Sequence, residues 1–488
     1  MRRWVAIISV LLGLFSVSVV SAHANLEQSN PPANSVLDTA PAEIRLWFSE
    51  PLETSFSRII LRDANGDVVP LAVTSQVDPK NTKQMYLVPG NLPDGLYTIA
   101  WRALSAADGH STQGSYAIII GKNTGGFGAV TQTAERIPPD GTVVRWLNLI
   151  SLALTVGSIG FWLFVWNPAV SGVSQPVIEQ RMFRLIWVGW ILIGVTSALM
   201  LMLQLSSATG TPFFRALGDP ELGSLIADTR YGHLWLARMA LWVGLGVALL
   251  FARTDRWFYP VALVIGGVIL VTNSVFSHAD AAQDAFISVA ADWLHLTATA
   301  LWVGGLLQFV NIVGPARRTF KSAAQTLGAL VAHFTNFARV SVAVLIVTGL
   351  YAAWLQVGSL DGLLTTPYGQ ALLVKLILIV PLLGLAAVNM WYTSRNLNAG
   401  NDIWGARLRG LVSAEIVLTV GVLAAVGVMT SIAPARTTLA VRAAVPTAPS
   451  PTPVVDMRTT DDLTVKLEFS PGWVGENTFT VTLSDKDG

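Results

Sequence analysis

Val271–Leu307 reads VTNSVFSHADAAQDAFISVAADWLHLTATALWVGGLL. Two long apolar segments meet there at a short polar turn, and the same alternation recurs through the middle of the chain. His278 lies just before the turn and His295 a few residues into the second segment. An ionisable side chain at the rim of an apolar span is unfavourable unless it is paired or used. Both histidines are therefore candidates for function.

Outward from this stretch, the composition agrees with a membrane protein. Of 488 residues, 52% are hydrophobic and 12% are charged, against roughly 25% charged in soluble domains. The apolar spans expected from the sequence are Val144–Trp166, Leu185–Leu205, Leu234–Phe251, Phe258–Phe276, Val289–Val313, Val340–Val357, Ala371–Tyr392 and Leu411–Ile432. Each approaches the roughly 20 residues that cross the hydrocarbon core of a bilayer as helix. The sequence suggests no internal repeat relating the two halves of this region.

The amino terminus fits an export signal: Arg2 and Arg3, the apolar run Trp4–Val20, then the small residues around Ser21-Ala22-His23-Ala24. Cleavage after Ala22, cleavage after Ala24 and an uncleaved anchor all fit the pattern. The next hundred residues alternate in Ile44-Leu46-Phe48, Tyr97-Ile99-Trp101 and Tyr116-Ile118-Ile120, as half-buried strands do. Asn65-Gly66 predicts a hairpin between Ile59–Arg62 and Val68–Leu71. These features predict a small sandwich, immunoglobulin- or cupredoxin-like. Beyond the last span, a Pro/Thr/Ala linker leads to alternation at Leu463-Val465-Leu467-Phe469 and Phe479-Val481-Leu483, the start of a second β domain.

The expected organisation is a signal at 1–22, a β domain at 23–120, a linker at 121–143, eight spans within 144–432, a linker at 433–455 and a partial β domain at 456–488. With the exported sandwich outside, the inner loops carry Arg181 and Arg184, then Arg253 and Arg256, then Arg317, Arg318 and Lys321, then Arg395, Arg407 and Arg409. The outer loops carry only Arg215 and Arg230. This is the positive-inside bias. It predicts the cytoplasmic membrane, with both β domains extracytoplasmic.

The same inventory limits the chemistry. The net charge of +1 gives no basic field for nucleic acid, and cysteine is absent, so thiolate sites and disulfides are excluded. There is no GxxxxGK[ST] loop for ATP. Five of the six histidines fall on the outer side: His23, His110, His233, His278 and His295; His333 is the exception. In Asp108-Gly109-His110 the glycine permits a tight bend that lets both side chains point one way. If His23 is the mature terminus, its amine, its ring and His110 supply three nitrogens, with Asp108 axial. Such a tetragonal set suits Cu(II). The plain alternative is a polar turn with a surface histidine. Asp292 and His295 are three residues apart and share a helix face, so Asp292 could orient the ring. His233 could join them; idle interfacial histidines are the competing reading. Lys375 and Glu415 are ionisable groups within spans, at different depths. The scattered methionines read mostly as core filler.

Residues 23–120 resemble the CopC family of periplasmic copper-binding proteins. The resemblance rests on His23-Ala24 with Leu26, Ser29-x-Pro31, Leu46-x-Phe48-Ser49-Glu50-Pro51 and Ser105-Ala106-Ala107-Asp108-Gly109-His110-Ser111. It implies cleavage after Ala22 and a Cu(II) site of His23, Asp108 and His110. A methionine-rich Cu(I) site is not implied, since the domain has only Met85. The spans resemble the CopD family through Ser277-His278-Ala279, Asp292-Trp293-Leu294-His295, Trp302-Val303-Gly304-Gly305, Thr348-Gly349, Tyr368-Gly369, Lys375, Asn389 and Glu415. That family is associated with copper passage across the inner membrane.

The expectation is a copper-handling protein, not an enzyme. It would bind Cu(II) outside and pass copper, as Cu(I) or Cu(II), through His278 and His295, with periplasmic copper carriers as partners. The alternatives are a haem- or quinone-linked electron carrier, a copper-dependent oxidase using the amino-terminal histidine brace, and a sensor or assembly factor.

Overall fold

A computed structural model describes residues 24–71, 74–107, 109, 111–121, 139–170, 175–275, 285–320, 323–399, 403–444, 454–459, 463–470 and 478–485. The export signal, His23, Asp108, His110, His278 and residues 122–138 and 445–453 of the two linkers lie outside the described residues; the second linker opens with a helix over Ala435–Ala444. The chain divides into two compact units.

In the first β region, two four-stranded sheets face each other. One has the order β1 (Leu26–Asn30), β3 (Ile44–Phe48), β6 (Asn81–Leu87), β5 (Gln76–Asp78). The other runs β2 (Val36–Leu37), β8 (Ser111–Ile120), β7 (Gly95–Leu104), β4 (Arg58–Arg62). Alternation places Ile44, Leu46, Met85, Leu87, Ile99, Ile118 and Ile120 in the shared core, each almost fully buried. The predicted turn forms at Asp63–Asp67, with Gly66 at φ 87°, where a side chain would be strained. Its second arm is shorter than expected: Val68 makes a single bridge to Arg62. Pro70, with no N–H to donate, prevents a longer ladder. Near the carboxyl end, β9 (Val454–Thr459), β10 (Leu463–Ser470) and β11 (Thr478–Asp485) form an antiparallel sheet of three strands.

Eight helices in the described residues are long and apolar enough to span a membrane. They are span 1 (Asp140–Ala169), span 2 (Pro176–Thr209), span 3 (Arg230–Phe251), span 4 (Phe258–Val275), span 5 (Phe286–Thr319), span 6 (Ala323–Gln356), span 7 (Pro367–Leu397) and span 8 (Arg407–Met429). The count matches the expectation, while spans 2, 5 and 6 reach 34 residues each. Spans 1 and 5 form the centre, 78% and 61% buried across their apolar windows; no other span exceeds 39%.

The expectation of no internal repeat is corrected. Spans 1 and 5 cross at Gly157 and Gly304. A Cβ on Gly157 would lie 2.0 Å from the Ala300 carbonyl oxygen, and one on Gly304 would lie 2.0 Å from that of Ala153. The reciprocity reflects a shared register. Trp146-Leu147-Asn148-Leu149, Ala153-Leu154-x-Val156-Gly157 and Pro168-Ala169 align without a gap on Trp293-Leu294-His295-Leu296, Ala300-Leu301-x-Val303-Gly304 and Pro315-Ala316. Likewise Thr229-x-Tyr231-Gly232-x3-Leu236-x-Arg238 aligns on Thr366-x-Tyr368-Gly369-x3-Leu373-x-Lys375.

The local structures agree. Thr229 Oγ1 accepts from the Gly232 amide at 3.0 Å, and Thr366 Oγ1 from the Gly369 amide at 3.1 Å. A Cβ on either glycine would meet a carbonyl oxygen at 2.2 Å. Spans 1–4 and 5–8 thus form a parallel repeat, both halves crossing in the same sense. A fixed period hides it, because the segment joining spans 2 and 3 is longer than that joining spans 6 and 7.

Candidate metal centres

The ligands predicted for the outer site lie outside the described residues, but their neighbours do not. Ala24, which follows His23, is fully buried, and its carbonyl accepts from Thr112 Oγ1 at 2.5 Å, two residues after His110. Asn25 and Ser49 exchange two hydrogen bonds of 3.0 Å, one through the Ser49 hydroxyl. In the intervening turn, the Gly109 amide donates to the Ser105 carbonyl at 3.0 Å, and Gly109 has φ 73°. Glycine is the residue that adopts this conformation without strain. Residues 105–107 and Gly109 group with the helical unit, in which Gln204 Nε2 donates to the Gly109 carbonyl and Arg230 Nη1 to that of Ala107. Met85 is fully buried in the sandwich core, as filler. The buried Tyr116 hydroxyl donates to the Pro31 carbonyl, and desolvation pushes its pKa up to about 12.

Within the spans, His295 sits nine residues along span 5, about 14 Å from its start at 1.5 Å per residue. Its Nδ1 lies 2.8 Å from Thr348 Oγ1 on span 6. The Thr348 hydroxyl also lies 2.7 Å from the Val344 carbonyl, which can only accept. With that single proton committed to Val344, Thr348 accepts from His295 Nδ1–H. In the neutral ring the lone pair is then on Nε2, the tautomer that binds a metal through that nitrogen. Gly349 leaves room beside the ring; a Cβ there would lie 3.5 Å from His295 Cε1.

Sequence reasoning expected Asp292 to orient this ring. The partner seen at Nδ1 is Thr348, present in the Thr348-Gly349 motif but not singled out for that role. Asp292 interacts electrostatically with Lys375 and Tyr368, and Lys375 also with His295. Sequence spacing could not show this cluster, which draws on spans 5, 6 and 7. His233 is exposed at the start of span 3, and its Nε2 donates to the Ala227 carbonyl at 2.8 Å. Only its Nδ1 remains as a donor nitrogen for a metal.

Glu415 is nearly fully buried, and Asn389 Nδ2 donates to its Oε1 at 2.5 Å. Thr393 donates to Asn389 Oδ1 at 3.0 Å, closing a chain across the π-helical turn Asn389–Thr393. Met390, on the same turn, has its sulfur 3.3 Å from both Nε and Nη2 of Arg339. Among the described residues no three His, Asp or Glu side chains converge to hold a metal ion.

Comparison with known proteins bears on the identity of both units. Family profiles match the CopC domain over residues 26–121, the copper resistance protein D-like N-terminal domain over 141–286 and copper resistance protein D over 328–429. Copper resistance protein C of Pseudomonas syringae pv. tomato is 36% identical over 111 residues, covering 21% of this chain and 84% of that protein. The chain belongs to the CopC–CopD copper-resistance family. One relative matches along the whole of this chain: copper transport protein CutJ of Bacillus subtilis (strain 168) is 28% identical over 497 residues, 100% of this chain and 86% of that protein. Among solved structures, CopC from Methylosinus trichosporium OB3b is 25% identical, covering 21% of this chain and 100% of that one, with a TM-score of 0.19. As a CopC–CopD protein with eight apolar helices, the chain is a multi-pass membrane protein that handles copper.

Proposed function

We propose that the protein captures Cu(II) outside the cytoplasmic membrane through His23, Asp108 and His110 and passes copper inward through a membrane entrance at His278 and His295. The observation that carries this reading is the state of His295. Thr348 takes its Nδ1–H, so Nε2 is left as a lone-pair donor inside an apolar span. A neutral imidazole so held suits either copper oxidation state. Asp292 interacts with Lys375, and Lys375 with His295, so charged groups of both signs lie near the entrance.

The buried Ala24 favours a mature terminus at His23. Cleavage after Ala24 would remove a core residue and the acceptor of Thr112. The β domain of residues 23–120, the spans within 144–432 and the β segment 456–488 are assigned on this basis, with both β regions extracytoplasmic. His233, its Nε2 engaged by Ala227, is a lesser contributor. Glu415 belongs to the inner half of span 8, away from the entrance. The protein acts as a carrier rather than an enzyme, receiving copper from periplasmic carriers.

The test is copper uptake into sealed proteoliposomes, comparing the unaltered protein with His278→Ala and His295→Ala. Flux should fall sharply in both variants; equal flux in all three refutes the proposed route.

A further inference from the structure

The repeat places a counterpart opposite each residue of the His295 site. In the register of spans 1 and 5, Asn148 stands where the second half has His295, and Arg145 where it has Asp292. In the register of spans 3 and 7, Arg238 stands where the second half has Lys375. Hydrogen bonding follows the same correspondence. The Thr196 hydroxyl on span 2 lies 3.3 Å from Asn148 Oδ1, while its nearest acceptor is the Leu192 carbonyl at 2.8 Å; on span 6 Thr348 meets His295 Nδ1 and its own i−4 carbonyl in the same way. Trp146 Nε1 donates to the Val420 carbonyl on span 8, and Trp293 Nε1 to the Gly267 carbonyl on span 4.

We propose that the first half holds a charge-inverted twin of the His295 site, built on Arg145, Asn148 and Arg238, and that this twin is closed to metal ions, so that the helical unit takes one copper ion rather than two. The chemistry of the three replacements agrees. The imidazole becomes an amide, whose oxygen is a poor ligand for copper and faces the Thr196 hydroxyl at 3.3 Å. The carboxylate becomes a guanidinium, which has no lone pair to offer. Lysine, which can lose its proton when buried, becomes arginine, which keeps its charge.

Arg238 is 1% exposed and is fixed by two bonds, Nε to Thr272 Oγ1 at 2.8 Å and Nη2 to Asn273 Oδ1 at 3.0 Å. Asn148 Nδ2 also donates to Asn273 Oδ1, at 3.3 Å. An ion entering this cluster would meet two permanent positive charges. The first half therefore serves as the scaffold that holds span 5 at the Gly157–Gly304 crossing, and the route for copper lies in the second half alone.

The inference rests on the His295 reading, and ion counting separates the two. Full-length protein carrying His110→Ala, which removes the outer site, is loaded with Cu(I), desalted and assayed for copper per chain, with monodispersity and thermal unfolding as checks on folding. One ion is expected, none after His295→Asn, and two after Arg145→Asp with Asn148→His. A starting count of zero refutes the His295 site and this proposal with it. A count of two, falling to one with Asn148→Ala, leaves the His295 site standing and overturns the exclusion. So does a folded Arg145→Asp/Asn148→His protein that gains no ion. If that variant does not fold, the reciprocal Asp292→Arg/His295→Asn carries the test; it must bind no copper, and a retained ion overturns the proposal.

Discussion

Replacing Thr348 by valine keeps the shape of the side chain and removes the one hydroxyl that joins His295 to Val344. In the folded protein that hydroxyl accepts from His295 Nδ1 at 2.8 Å and donates to the Val344 carbonyl at 2.7 Å. Thr348 is only 7% exposed, so no water replaces it readily. The imidazole N–H then has no acceptor, a loss of about 1–3 kcal/mol, and the ring is free to turn or to change tautomer. Losing such an outer partner typically weakens metal binding by about 10–100-fold, or about 1.4–2.7 kcal/mol. Thr348→Val should therefore lower the copper affinity of the His110→Ala protein by at least about tenfold. Thr348→Ser, which restores the hydroxyl, should recover most of it. Competition against a chromophoric Cu(I) chelator measures both. If Thr348→Val binds copper as the unaltered protein does, while His295→Ala does not bind, the tautomer argument is wrong. If serine fails to rescue, the effect of valine is one of packing and not of the hydrogen bond.

Other expectations concern the scaffold and the outer domain. Gly304→Ala drives a methyl to 2.0 Å from the Ala153 carbonyl and should destabilise the helical unit by about 1–3 kcal/mol or more, seen as a lower unfolding temperature in detergent. Gly349→Ala, which makes only an ordinary 3.5 Å contact with His295, should leave that temperature nearly unchanged. In the sandwich, the Lys80 amide and then Arg45 hold the Asp78 carboxyl below its ordinary range. A depressed carboxylate stabilises the fold above its unfolded value, about 3.9, and the contribution fades as pH falls through the lower folded value. Asp78→Asn should therefore flatten the loss of sandwich stability below pH ~4, followed by limited proteolysis of the outer domain. Mass spectrometry of the mature protein should find His23 at the amino terminus; a start at Asn25 would remove the outer Cu(II) site.

Much of the architecture was legible in the residues. Alternation in Ile44-Leu46-Phe48 and Tyr116-Ile118-Ile120 marks strands, and those strands form. Apolar length marks the spans, and eight are present among the described residues. The hairpin at Asn65-Gly66 forms where those residues predict, with a shorter second arm than the pattern suggests, because Pro70 acts on pairing rather than on pattern. The repeat is written in Trp146-Leu147-Asn148-Leu149 and Trp293-Leu294-His295-Leu296, yet no single period reveals it. Unequal connecting segments shift the register between one pair of spans and the next.

What the sequence by itself determined is the set of elements and the donor residues: a sandwich, eight apolar spans, and histidines and carboxylates in an otherwise apolar chain without cysteine. These follow from hydropathy, short-range periodicity and residue chemistry, which local order carries. What only the tertiary structure decided is who holds whom. Thr348 rather than Asp292 meets His295 Nδ1, Asn389 meets Glu415, and Gly157 meets Gly304. Apart from the three-residue step from Asp292 to His295, these are meetings between different elements. Their geometry is set by how helices cross, and a crossing depends on the backbone of two helices at once, so neither stretch of sequence states it alone.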